Sequence, residues 1–165
     1  MATVNSVTEL QKYVNKALRT SLRYDVAPVV KEVEQRNIED EVYQGYVTQN
    51  TGGQPWKHQR RRTKGGLQDK RNMKHSVNTT SEGVVLSIEN TTTGVNDNFR
   101  LDTLIEYGDG TDGKEYGFKY NRDNTEDQYL RARPFTKATA DELELNKEHV
   151  TALKKSLQNQ GLDVT

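Results

Sequence analysis

Cysteine is absent from this 165-residue sequence, which excludes disulfides and thiolate metal sites and fits folding in a reducing compartment. Long apolar runs are absent too: none approaches the roughly 18 residues of a membrane span, so no membrane partner is expected. The opening Met-Ala-Thr-Val-Asn-Ser has neither the basic region nor the apolar core of a signal peptide, and the chain is expected to act without standard secretion. Net charge is also missing. Lysine plus arginine and aspartate plus glutamate number 24 each, so no global field steers the chain to nucleic acid, and an electrostatic partner must be read from a local patch. Apolar residues are scarce at 32%, against 29% charged. Such a chain makes a small core with wide solvated faces, or completes its burial on neighbouring copies.

What is present reads as a single domain over residues 1–165. Over 6–45 the pattern is helical. Val7, Leu10, Val14, Ala17, Leu18 and Leu22 recur at three- and four-residue steps, with Lys12, Lys16, Arg19 and Arg23 elsewhere on the cylinder. Ser6 followed by Glu9 forms a capping-box pattern at the start. Pro28 interrupts, and Val29, Val30, Val33 and, less regularly, Ile38 and Val42 resume the stripe. Either one long helix kinks near Pro28 or two helices meet there; the lack of a glycine stop at Asp25, Val26 and Ala27 favours the kinked helix.

Residues 49–72 read as a long basic loop, with Gly52-Gly53, Pro55 and Gly65-Gly66 and no amphipathic period. Residues 73–133 read as β-rich. Met73, His75 and Val77 alternate with polar neighbours, as do Val84, Leu86 and Ile88 with Val85, Ser87 and Glu89, and Ser81-Glu82-Gly83 between them predicts a hairpin. Leu101, Leu104 and Ile105 form a short apolar cluster. Tyr116, Phe118 and Tyr120 suggest a third strand, and Tyr129 and Leu130 a fourth. A closing helix is expected over 139–160, capped by Thr139 with Glu142, striped by Leu143, Val150, Leu153 and Leu157, and stopped at Gly161-Leu162. The fold class is α+β: a long N-terminal helix, a small antiparallel sheet and a C-terminal helix.

The richest charge cluster is 57–74, with Lys57, Arg60, Arg61, Arg62, Lys64, Lys70, Arg71 and Lys74 against the single acid Asp69. Arginine forks bind phosphates and Trp56 could stack on a base, so nucleic-acid contact is one reading. The other is an interface loop whose arginines pair with acids of the same chain or a neighbour, and zero net charge favours it. Asp109, Thr111 and Asp112 superficially resemble a calcium loop but lack its alternating oxygens and distal glutamate, which favours a plain turn. His58, His75 and His149 stand at no metal-ligand spacing. No nucleophile elbow, phosphate-binding glycine loop or zinc-protease helix occurs, so no enzyme, catalytic residue, metal or cofactor is expected.

Taken in order, several pieces resemble the small tail-component (tail-completion) proteins of long-tailed bacteriophages. They are Val42-Tyr43 with Tyr46; Arg61-Arg62, Gly65-Gly66-Leu67, Asp69 and Asn72; Leu86, Ile88 and Asn90; Leu101, Leu104, Ile105, Glu106 and Gly108; Arg133-Pro134-Phe135; and the helix with His149, Leu153, Leu157 and Gly161. The resemblance spans about residues 7–162, and residues 49–59 depart from it as a longer link. It implies a structural virion protein of the neck, a subunit of a homo-oligomeric ring, commonly a hexamer. Head connector or adaptor proteins, the tail terminator and the tail tube would be its partners, and passing DNA would not be specifically bound. Its location would be the virion, after assembly in the host cytoplasm. Tyr43, Tyr46, Trp56, Arg61, Arg62 and Phe135 are the expected contact residues, because aromatics and arginine dominate interfaces. For Phe135, just before a helix, a place in the core is an equal expectation. Two alternatives remain: a nucleic-acid-binding accessory protein using 57–74, and another virion role such as tail terminator or minor head protein.

Overall fold

The structure, a computed structural model, describes residues 6–44, 62–94, 100–107 and 132–164. It is α+β, with a long N-terminal helical run, a two-stranded antiparallel sheet and C-terminal helices. The run consists of α1 (Val7–Ser21), a π-helical turn (Leu22–Val26), α2 (Ala27–Asn37) and a second π-helical segment (Ile38–Gln44). Ser6 caps it as expected, its hydroxyl accepting the Glu9 amide at 3.2 Å.

Pro28 does not stop this run. The residues flanking the first π turn keep right-handed helical angles, and the Ala27 amide reaches back five residues to the Leu22 carbonyl. The ladder is therefore re-spaced just before the residue that lacks an amide hydrogen. At the second widening, Asn37 Nδ2 donates to the Val33 carbonyl at 3.0 Å and competes there with the backbone. At the first widening the buried positions step by five, from Ser21 to Val26.

Strands β1 (Met73–Thr79) and β2 (Val84–Asn90) pair from Met73 opposite Asn90 to Thr79 opposite Val84. In the connecting turn the Thr80 amide donates to the Gly83 carbonyl at 2.7 Å, and Gly83 takes φ 146°, which a side chain would strain. Inward and outward positions alternate along β2 as expected; on β1, Met73 and Val77 are buried but His75 between them is exposed. Within the expected β-rich span, Leu101–Tyr107 form a short helix, α3. The proposed strands at 116–120 and 129–130 lie outside the described residues, as does the turn at 109–113.

The closing helix differs from expectation in two ways. It begins at Phe135, not Thr139, and it divides into α4 (Phe135–Asn146) and α5 (Glu148–Asn159). Thr139 is no cap: it is buried, and its hydroxyl donates to the Phe135 carbonyl at 2.7 Å. The free amides of the first turn are met by Glu106 of α3, whose carboxylate accepts from Thr136 at 2.9 Å and Lys137 at 3.3 Å. The break falls at Lys147, in the left-handed region at φ 56°. Asn146 stabilises the restart, its side-chain oxygen accepting the Glu148 amide at 3.1 Å. The stop at Gly161 matches a Schellman end, with φ 82° and the Leu162 amide bonded to the Leu157 carbonyl at 3.1 Å.

The core is small: Ile38, Val42, Leu67, Met73 and Phe135, with Tyr43 and Ile105 packed against it. Ala17, Val26, Ala27, Val33 and Leu157 are buried between the helices outside this cluster, and polar groups join them there. Ser156 Oγ lies 2.8 Å from Ser21 Oγ and donates to Asp25 at 2.6 Å, Gln160 Nε2 donates to Ser21 at 2.8 Å, and the Tyr13 hydroxyl donates to the Gln160 carbonyl at 2.8 Å.

The two corrections to the closing helix carry opposite expectations in a thermal melt. Lys147→Gly relieves the left-handed strain and stabilises by about 0.5–1 kcal/mol. Glu106→Ala leaves the α4 amides unmet and destabilises by about 1–2 kcal/mol. A helix running unbroken through Lys147 would reverse the sign of the first.

Candidate interaction surface

The described part of the basic loop, 62–72, is a tightly bonded turn and not a free arm. Leu67 is 2% exposed and sits in the core. Asp69 accepts the Gly65 amide at 2.7 Å, the Arg71 amide at 3.0 Å and the Arg71 guanidinium at 2.6 Å. These donors, Arg71 foremost, hold its carboxyl well below the ordinary carboxylate range. Gln68 Nε2 donates to the Gln35 carbonyl at 3.1 Å and to Glu39 at 3.0 Å. Arg62 pairs with Glu39 at 3.0 Å and lies 4.7 Å from the centre of the Tyr43 ring, and Lys70 pairs with Glu32 at 3.0 Å. Arg62, Lys70 and Arg71 are thus occupied by acids of their own chain.

Of the expected contact residues, Tyr43 and Arg62 come together in this corner, Arg62 exposed over a half-buried Tyr43. Phe135 is 1% exposed and belongs to the core, so it offers no contact surface in the folded chain. Its site assignment is corrected in favour of the packing reading. Tyr46, Trp56 and Arg61 lie outside the described residues, as does His58. Among the described residues no group of three histidines or carboxylates is placed to hold a metal ion.

Two of the cavities beside the helical run meet at Glu34. An apolar groove of about 340 Å³ lies between Leu22, Val26, Val30, Leu86, Ile88 and Leu143, with Glu34 and His149 on its wall. Beyond Glu34 an acidic pocket of about 220 Å³ is edged by Asp102, Glu106 and Arg100. Glu34 is 6% exposed and its carboxylate accepts Asn90 Nδ2 at 3.0 Å. Burial pushes this carboxyl above its ordinary value of 4.5; Glu106 and Asp102 push the same way, against the Asn90 hydrogen bond and Lys31. Arg100 bridges the pocket rim, 2.7 Å from Asp102 and 2.9 Å from Glu89.

A further exposed apolar surface lies on α1, carried by neither an aromatic residue nor an arginine. Val7 is 82% exposed and Leu10 47%, whereas Ala17 and Ser21, further along the same stripe, are 4% and 0%. In the first turns of the helix the apolar stripe is thus exposed, and further along it is covered. The alternation of burial along one regular stripe was not readable from periodicity, which marks the apolar face but not what covers it.

A model of the YomN family matches residues 6–159. The chain belongs to that family, which is phage-derived. No curated protein and no solved structure matches it significantly.

The raised Glu34 carboxyl makes a prediction with a definite sign. An acid whose folded value is raised contributes its stability below the unfolded value and loses it as pH rises through the folded one. Glu34→Gln keeps the acceptor for Asn90 and removes the charge. Its urea midpoint is expected to match wild type near pH 4 and to exceed it increasingly towards pH 8. A constant difference across that range would show that Glu34 is not ionising against burial.

Proposed function

We propose that this protein is a structural component of the phage neck, a ring subunit that joins the head connector to the tail and carries no catalytic site. The observation that supports this reading most is the bare apolar start of α1, in a chain of a phage-derived family. Val7 and Leu10 leave burial to be completed by another surface. A helix face exposed on one subunit and seated on the next is a head-to-tail contact, and head-to-tail contacts close into rings when the rotation allows. The Tyr43–Arg62 corner supplies a second edge of the kind that interfaces use. Partners on this reading are copies of the chain, the head connector or adaptor, and the tail terminator and tube; the place of action is the virion, after assembly in the host cytoplasm.

A nucleic-acid role for 57–74 is weakened by the pairing of Arg62, Lys70 and Arg71 with carboxylates of the same chain. Tail terminator and minor head protein remain neighbouring roles within the same structural class.

Electron microscopy of a lysate from a phage with an early stop codon in this gene tests the reading. DNA-filled heads beside finished, unattached tails are expected, and the plasmid-borne wild-type gene restores joined particles. A Leu10→Glu gene, whose product folds because Leu10 supports no core, is expected not to restore them. Normal infectious virions from the stop mutant would sink the proposal.

A further inference from the structure

The face of α1 opposite its apolar stripe, continued by the first residues of the π turn, carries a row of cations. Lys12, Lys16, Arg19 and Arg23 follow steps of four, three and four residues, so at about 100° per residue they share one face, turned roughly half a circle from Val7, Leu10 and Val14. The row is about 17 Å long at the helical rise. All four side chains are exposed.

None of the four is in an ion pair among the described residues; the lysines share this with Lys31, Lys64 and Lys74, but the two arginines differ from the other arginines of the fold. Arg36, Arg62, Arg71 and Arg100 each hold a carboxylate, at 2.8, 3.0, 2.6 and 2.7 Å. Arg19 and Arg23 hold none. The nearest acid of the π turn, Asp25, is engaged by Ser156 of α5 at 2.6 Å. The positive field extends beyond the helix. On β1, partial burial first, and then the charges of Lys31 and Arg23, hold the His75 imidazole below its usual range.

The row borders a cleft of about 450 Å³ between α1 and the end of β1. Asn15, Tyr24 and Thr79 on its walls add neutral donors, and Tyr24 is 67% exposed. No aliphatic side chain lines it. That composition decides between two classes of anionic partner. Protein interfaces gather apolar and aromatic anchors at their centres and are depleted of lysine. Contacts to a nucleic-acid backbone come from lysine, arginine and the small polar donors found here. Phosphates follow one another about every 3.4 Å of axis along each strand of a duplex, so a row of about 17 Å spans about five on one strand.

We propose that the basic face of α1 binds the phosphate backbone of double-stranded DNA without regard to sequence. The inference stands on this helix face and does not depend on the neck reading.

Fluorescence anisotropy of a labelled 30-base-pair duplex with the full-length protein, from 50 to 200 mM salt, provides the test. Four phosphate contacts give a slope of log affinity on log salt near −3.6, a loss of about a hundredfold over that range. Replacing Lys12, Lys16, Arg19 and Arg23 by Gln is expected to abolish binding with the melting temperature retained. Arg62→Gln with Lys70→Gln, in the turn, is expected to leave it intact. Should the fourfold variant fail to fold, Arg19→Gln and Arg23→Gln singly are each expected to flatten the slope by about 0.9. No binding at 50 mM salt, or binding lost from the turn variant and kept by the stripe variant, would overturn the proposal. So would tighter binding to polyglutamate than to the duplex, which would assign the face to an acidic protein.

Discussion

Asn90, the last residue of β2, uses both ends of its side-chain amide to tie four segments together. Its nitrogen donates to Glu34 of α2 at 3.0 Å and to the Leu67 carbonyl in the basic turn at 2.9 Å. Its oxygen accepts the Thr92 amide at 3.2 Å and the Thr92 hydroxyl at 2.7 Å. Asn72 continues the lattice, donating to the Gly66 carbonyl at 3.1 Å, while its own carbonyl accepts the Thr91 amide at 2.9 Å. Thr92 then passes the order on, its carbonyl accepting the Leu101 amide that opens α3 at 2.9 Å. α3 in turn holds the start of α4 through Glu106. In a chain with so few buried apolar side chains, a satisfied polar network of this kind specifies which elements meet and in what register. The burial of the Glu34 carboxyl is the cost it carries.

This arrangement concentrates order at the hairpin end of the helical run and leaves α1 with little to pack on. Against α5 it has a cluster of hydroxyls and an amide, around Ser21, Ser156 and Gln160, beside the buried Ala17 and Leu157. Two faces of one helix are consequently available, an apolar one at Val7 and Leu10 and a cationic one at Lys12 to Arg23. A helix exposed on two faces suits a part that lies between other bodies.

Much of this was legible in the sequence because it is written in local periods. The strict alternation of Val84 to Glu89 gave β2, the Ser6–Glu9 pair gave the start of α1, and Gly161 gave the end of α5. Features that depend on distant partners were not legible. Thr139 with Glu142 has the form of a capping box, but the amides at the helix start are met by Glu106, some thirty residues upstream, and no local pattern reveals that. Lys147 breaks the helix without glycine or proline. Leu67 sits among glycines and arginines, yet it is one of the most buried residues. For the candidate surface, Tyr43 and Arg62 were found by residue type. Phe135 was ambiguous by the same criterion and proved to be packing. The basic face was visible as a four-three-four spacing, but cations opposite an apolar stripe are the ordinary solvated side of a helix, and what marks this row is the polar cleft it borders.

The central claim is an ordered polar hub carrying a helix whose first turns wait for another surface. Hydrogen exchange measured on the isolated protein and on purified virions tests it most directly. Slow exchange at 73–79 and 84–92 in both states is expected, with fast exchange at 7–14 in isolation that becomes slow on assembly. Equal protection of 7–14 in the two states would contradict it, because the start of α1 would then need no partner.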